Sequence, residues 1–309
     1  MNILVLIQSY LPAQRHKEYI DVLKETIRSI RTQKLDPHHQ VHIVLSDDGS
    51  DYLHKYASNA IQILPEQKLI EIKRIHNLDV DQIILAEPSP YYQKADLFNF
   101  YLESAGEAYE CIVILDDDHA FVRDDAIARF ASHFKAGYNF VAGRICNPSG
   151  YFRSYFDSTV QGANFALTYD LLKAVDFFGR RVKLWGCGED SDIFWKVYNQ
   201  ALEREAKAIY DGNIITIDKL SGRWIFALQK AGGVKEFKAG FLSEYGVDPH
   251  DNPSRHKYKW MQYKPDDNRI RESLFPFIRF AEYHDFASHR LSIRFLITLY
   301  CIVLYNAGK

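Results

Sequence analysis

Cys111-Ile112-Val113-Ile114-Leu115 runs straight into Asp116-Asp117-Asp118. Five apolar residues without alternation describe a strand covered on both faces, and the abrupt stop places three carboxylates at its carboxyl end. Two similar runs precede it. Ile3-Leu4-Val5-Leu6-Ile7 leads into Gln8-Ser9-Tyr10, and Val41-His42-Ile43-Val44-Leu45 leads into Ser46-Asp47-Asp48-Gly49-Ser50. Between them Tyr19, Ile20, Leu23, Ile27 and Ile30 recur at helical spacing, as do Leu53, Tyr56, Ala57, Ala60 and Ile61 further on. Residues 94–105, 124–134 (with Asp124 as the cap) and 190–206 read as further helices, and Phe140-Val141-Ala142 as a short strand. Strand–helix alternation predicts an α/β fold with a mostly parallel central sheet flanked by helices. In such sheets ligands sit beyond the carboxyl ends of the strands, where both acidic clusters fall.

Composition narrows the classes. A chain of 309 residues with 47% hydrophobic and 25% charged residues is a globular protein rather than a disordered or fibrous one. Lys plus Arg is 38 against 40 for Asp plus Glu, a net charge of -2, so no general basic field points to nucleic acid. The four cysteines, Cys111, Cys146, Cys187 and Cys301, form no Cys-x-x-Cys pair, which argues against a zinc site or a disulfide framework. Residues 1–11 lack the basic start and long apolar stretch of a signal peptide. No run reaches the roughly 20 apolar residues of a membrane span. The expected location is therefore cytoplasmic.

Three constellations carry chemistry. Asp116 and Asp118 point the same way if the strand continues, and hard divalent cations such as Mg²⁺ take carboxylate oxygens together with substrate phosphates. An isolated acidic triplet is as often a solvated loop. Trp185-Gly186-Cys187-Gly188-Glu189-Asp190-Ser191-Asp192 enters a helix. Its acids suit a helix N-terminus, and a carboxylate there can also serve as a general base, with Trp185 stacking on a sugar ring. Asp47 in Ser46-Asp47-Asp48-Gly49-Ser50-Asp51 could hold a base or ribose, or simply shape an Asp/Gly turn.

Taken in order, these stretches resemble family-2-type glycosyltransferases of the GT-A fold over residues 1–217. The matching pieces are Gln8-Ser9-Tyr10-Leu11-Pro12, Asp47-Asp48-Gly49-Ser50-Asp51, and Lys94 with Asn99 as a Lys-x-x-x-x-Asn helix. They continue with the Asp-x-Asp of 116–118, Gly162-Ala163-Asn164-Phe165-Ala166-Leu167, and a chondroitin-synthase- or galactosyltransferase-like Trp-Gly-x-Glu-Asp stretch at 185–192. The resemblance implies a metal-dependent, inverting hexosyl- or N-acetylhexosaminyltransferase with a UDP-sugar donor and Mn²⁺ or Mg²⁺. Ser9, Tyr10, Asp47, Lys94, Asp116 and Asp117 would serve the nucleotide sugar, and Asp118 with Asp116 the metal. Asp190 would be the base, with Glu189 on substrate hydroxyls and Trp185 and Gly186 toward the acceptor. The acceptor would be a glycan or lipid-linked glycan of a capsule, lipopolysaccharide or related polymer. Two departures stand out. The acidic stretch carries an extra glycine, and no His follows 213–217, where relatives place a third metal ligand; His250 and His256, further on in the Pro-containing loop, could serve, although a lone loop His is usually a solvent-facing one.

The implied layout is a catalytic domain at 1–217, divided into a nucleotide-sugar half (1–118) and an acceptor half (119–217). An irregular, Pro-containing region at 218–268 and a C-terminal helical extension at 269–309 follow. Phe295 to Tyr305 is an 11-residue run with only Thr298 polar, preceded by Arg279, His289, Arg290 and Arg294. Such a run suits either a buried helix or a peripheral contact of 291–309 with a membrane face. Two rival readings share the acids. A haloacid-dehalogenase-type phosphatase also uses Asp-x-Asp after a strand, but it leaves 47–51 idle. A catalytically silent glycan-binding module would not need the acidic set.

Overall fold

The computed structural model describes residues 1–11, 15–57, 62–64, 69–72, 78–91, 93–146, 163–204, 206–220, 233–249, 252–255, 260–265 and 267. The expected 269–309 extension, with the 291–309 run, lies outside them, as do His250 and His256.

The three apolar runs form the centre of the sheet. β1 (Asn2–Ser9) is flanked by β2 (Gln40–Asp47) on one side and β6 (Cys111–Asp116) on the other, both parallel to it. Beyond β2 come β5 (Gln82–Ala86), β4 (Leu69–Ile72) and β3 (Gln62–Leu64). Beyond β6 come β9 (Phe165–Leu167), β8 (Phe140–Cys146), β10 (Ala208–Asp218) and β11 (Gln262–Lys264), and β7 (His119–Phe121) pairs with β10. Only β4, β7 and β9 run against the rest, so the sheet is mostly parallel, as the alternation predicts.

Alternation along β1 divides the core. Leu4 and Leu6 face the layer of α3 (Lys94–Ala105), α5 (Tyr169–Ala174), α6 (Val182–Trp185), α7 (Glu189–Arg204) and α8 (Val234–Tyr245). Ile3, Val5 and Ile7 face α1 (His16–Arg31), α2 (Asp51–Ala57) and α4 (Ala126–Lys135). Burial on both faces is why these strands read as unbroken apolar runs. On α1 the expected stripe of Tyr19, Ile20, Leu23, Ile27 and Ile30 is the buried one.

Two details differ from expectation. Asp125, not Asp124, precedes α4, and its carboxylate takes Arg123 and Arg129 instead of the helix N–H groups. The 218–268 region is not uniformly irregular, because it supplies α8 and β11. β11 is fastened by Asp211, which is fully buried and accepts from His133 Nε2 at 2.8 Å, with Lys264 Nζ 3.5 Å away. Among the described residues no helix is long and apolar enough to cross a membrane.

Candidate functional site

Parallel register assembles one edge of the site. Ser9 lies opposite Asp47, and Gln8 lies opposite both Ser46 and Asp116, so three strands end side by side with their polar residues at one level. The turns beyond them interlock. Asp48 N–H donates to Ser9 O at 2.9 Å, and Asp117 N–H to Gln8 O at 3.0 Å. The Asp117 carboxylate accepts from Tyr10 N–H at 3.3 Å, and its carbonyl accepts from Thr26 Oγ1 at 2.9 Å.

Several expected ligand residues therefore act on the loops themselves. Asp47 is fully buried and accepts from Ser50 N and Ser50 Oγ, each at 2.7 Å, and Ser50 Oγ in turn accepts from Leu11 N at 2.7 Å. That is the Asp/Gly turn weighed as the alternative reading, with Gly49 in the left-handed region at φ 79 and its missing Cβ leaving room for Pro88. Asp48 accepts from both the backbone and the side chain of Gln93. Ser9 Oγ is buried and has no hydrogen-bond partner among the described residues. Tyr10 is the half-exposed member; partial burial and the charges of Asp48, Asp51 and Asp47 raise its hydroxyl pKa.

The acidic end of β6 carries the densest set of ligand atoms. Asp116, Asp118 and His119 each offer one atom, all within 4.8 Å of one another. Two carboxylates and an imidazole are a donor set for a divalent cation such as Mn²⁺. Burial, then repulsion from Asp116 and Asp218, pushes the Asp118 carboxyl well above the usual range, a strain that a bound cation would relieve. His119 Nε2 is 3.7 Å from Asp118 Oδ1, and its Nδ1 lies 3.4 Å from Thr216 Oγ1, which orients the ring. His250, the imidazole expected from the sequence, lies outside the described residues; among those described the imidazole at the acids is His119, which follows the triplet directly and which β7 sets opposite Asp218 on β10.

The acceptor-side stretch is built differently. α6 ends at Gly186 in the left-handed conformation, φ 75, with its N–H on Val182 O at 3.2 Å. Gly188 is also left-handed, φ 98, and a Cβ there would meet the Phe237 ring at 2.2 Å. The extra glycine is thus the residue that lets the chain pass α8 before α7 begins. Trp185 corrects an expectation: it is 6% exposed and packs on Phe237 and Phe241, as a core ring rather than an open sugar platform. Gly186 likewise serves the turn.

The three acids of α7 part company. Asp192 is fully buried, accepts from Gly179 N–H at 2.7 Å and from the Tyr245 hydroxyl, and forms an ion pair with Lys196 at 3.2 Å. Asp190 is partly exposed and accepts from Ser191 N–H at 2.7 Å. Burial first, then the charge of Glu189, pushes its pKa up to about 6, the range of a working general base. Glu189 joins the two sides: Lys94 Nζ lies 2.9 Å from Glu189 Oε1 and 2.9 Å from Asp116 Oδ1. Five residues along α3, Asn99 donates to Phe178 O at 2.8 Å and accepts from Phe178 N at 3.0 Å. One helix thus holds both the acids and the loop before α6.

No protein-family model matches the chain, and no curated protein matches it. Among solved structures, the chain is similar to S. aureus TarS 1-349, at 16% identity and a TM-score of 0.43, covering 72% of this chain and 58% of that one. The same protein in complex with UDP-GlcNAc gives 15% identity and 0.43, covering 72% and 56%. Its complex with UDP gives 14% and 0.43, covering 83% and 68%. The chain therefore spans little more than half the length of the first two, and what the site does has to be argued from its own residues.

Proposed function

We propose that the chain is a metal-dependent glycosyltransferase that moves a sugar from a nucleotide sugar to a hydroxyl of a glycan or lipid-linked glycan, with inversion. The observation that carries this reading is the convergence just described. A carboxylate–imidazole set (Asp116, Asp118, His119) stands at strand ends, and a partly exposed carboxylate with a raised pKa (Asp190) stands on the facing helix turn. Lys94 and Glu189 link them. A phosphatase needs the first set and has no use for the second.

In this reading Asp190 accepts the proton of the acceptor hydroxyl as that oxygen bonds to the anomeric carbon. The bond from that carbon to the diphosphate oxygen breaks, and the electron pair leaves with the diphosphate. A divalent cation held by Asp116, Asp118 and His119 would supply positive charge where the leaving diphosphate becomes more negative. Tyr10 offers an aromatic face at the strand ends for the nucleotide base, while Asp47, Asp48 and Asp117 keep its loop in shape. UDP is the first nucleotide to try, because the family resemblance implies it.

The test is hydrolysis and transfer from a panel of UDP-sugars with Mn²⁺ or with EDTA, followed by NMR of the product. Mn²⁺-dependent release of UDP and an inverted anomeric centre are expected. Full turnover in EDTA would remove the metal from the reading, and a retained configuration would remove Asp190 as the base.

A further inference from the structure

Lys94 is 2% exposed, a burial that lysine tolerates only when paired. Its ammonium lies 2.9 Å from Asp116 Oδ1 and 2.9 Å from Glu189 Oε1, the two carboxylates that compensate its burial. Its two partners belong to different parts of the chain: Asp116 closes β6 and Glu189 opens α7. The same first turn of α7 is held on its inner side by Asp192, which accepts from Gly179 N–H and the Tyr245 hydroxyl, and on its Glu189 edge by Lys94.

We propose that Lys94 is a positioning residue for the transfer reaction. Its ammonium locks Glu189, and through the shared helical turn Asp190, at a fixed offset from the Asp116–Asp118 carboxylates. Lysine suits this task because its ammonium is a compact point charge that sits between two oxygens. Without it, Asp116 and Glu189 face each other as like charges in a partly buried site, and the Glu189–Asp190 edge of the turn shifts away from β6. The inference rests on the functional reading above for its catalytic meaning, but its structural part stands apart from it.

The experiment uses the full chain with Lys94→Met, Glu189→Gln and the double variant. With a UDP-sugar hydrolysed in Mn²⁺, Lys94→Met should lower kcat by about 10²-fold, the scale of an ångström-sized misplacement. KM for the donor should stay within about threefold. The double variant should be no worse than the poorer single one, because both remove the same link. Equal losses in kcat and KM, or additive losses in the double variant, would overturn the proposal. An activity-free arm reads alkylation of Cys187 by iodoacetamide, followed by peptide mass spectrometry. Cys187 is partly exposed, and burial together with Glu189 pushes its thiol up to about 12, so it reacts slowly. Release of the turn exposes the thiol and should accelerate it in Lys94→Met by about tenfold. An unchanged or slower rate would sink the proposal even if the wild type neither binds Mn²⁺ nor hydrolyses UDP-sugars, an outcome that defeats only the functional reading. If Lys94→Met fails to fold, Glu189→Gln must show the kcat-only loss, and its absence would overturn the proposal.

Discussion

The two sides of the site are held by different physics. On the strand-end side, Ser9, Asp47 and Asp116 are placed by parallel register among fully buried strands, and their turns are tied by backbone hydrogen bonds. On the helix side, Glu189 and Asp190 follow two left-handed glycines; Lys94 pairs with Glu189, Tyr245 holds Asp192 in the same turn, and Asn99 holds the loop before α6. Register cannot be shifted by one side chain without moving every neighbour. A turn held by a few side chains can be moved by any one of them. Substitutions of the strand-end ligands Asp116 and Asp118 should therefore remove a ligand and leave geometry intact, whereas those of the residues that hold the helix side, Lys94, Asn99 and Gly188, should move geometry and leave ligands intact.

The largest break should come from Asp190→Asn, which keeps shape and the Ser191 contact but cannot take a proton. Turnover should fall by roughly 10²–10⁴-fold with UDP binding retained, measured by steady-state kinetics and calorimetry. The pH profile sharpens the point. Asp190 has a pKa of about 6 and must be deprotonated to act. Log(kcat/KM) should be flat above that value and fall by about one unit per pH unit below it. A profile with no acid limb near pH 6 in the wild type would rule Asp190 out as base.

On the strand side, Asp118→Ala should cost about 10²–10³-fold in Mn²⁺-stimulated turnover, on the scale of losing one group that stabilises developing charge. His119→Ala should cost about 10–100-fold, mostly as weaker Mn²⁺ binding read by electron paramagnetic resonance. If His119→Ala binds Mn²⁺ like the wild type, the third ligand lies elsewhere.

The contrast also marks what could be read without coordinates. Strands buried on both faces announce themselves as apolar runs, and their polar ends fix where a ligand sits, so β1, β2, β6 and the acids after them were legible. β11 was not, because it is three residues long beside Pro265, and α8 was missed although Phe237, Phe241 and Tyr245 recur at helical spacing, because glycines at 232, 233 and 240 thin the pattern. The roles of Glu189, Asp190 and Asp192 could not be separated in a line of acids. On a helix, residues two apart face different ways, so Asp192 turns inward to Gly179 and Tyr245 while Asp190 stays partly exposed. The Lys94 bridge is invisible for a plainer reason: its partners meet it only after the sheet has formed.

Asn99 tests the helix side through stability. Asn99→Ala leaves both Phe178 N–H and C=O unpaired in a buried loop, a cost of about 1–3 kcal/mol in chemical denaturation for each group left bare. If the loop before α6 positions the site, kcat should fall as well; an unchanged kcat in the folded variant would confine Asn99 to stability.

The smallest effect comes from a matched pair of glycines. Gly137 and Gly188 are both left-handed, with φ 85 and 98. At Gly137 a Cβ would meet nothing within 4 Å, so Gly137→Ala costs only the backbone strain, about 1–2 kcal/mol. At Gly188 the same methyl would also press on the Phe237 ring, which can yield only by shifting α8 or the turn that carries Glu189. Denaturant midpoints should separate the two modestly, with Gly188→Ala the less stable. Kinetics should separate them in kind: Gly137→Ala should leave kcat unchanged, and Gly188→Ala should lower it by about tenfold or more, since small displacements of a reacting group carry large rate penalties. Equal kcat values in the two variants would mean that the turn before α7 tolerates movement, and that the distinction between a rigid strand side and an adjustable helix side does not reach the chemistry.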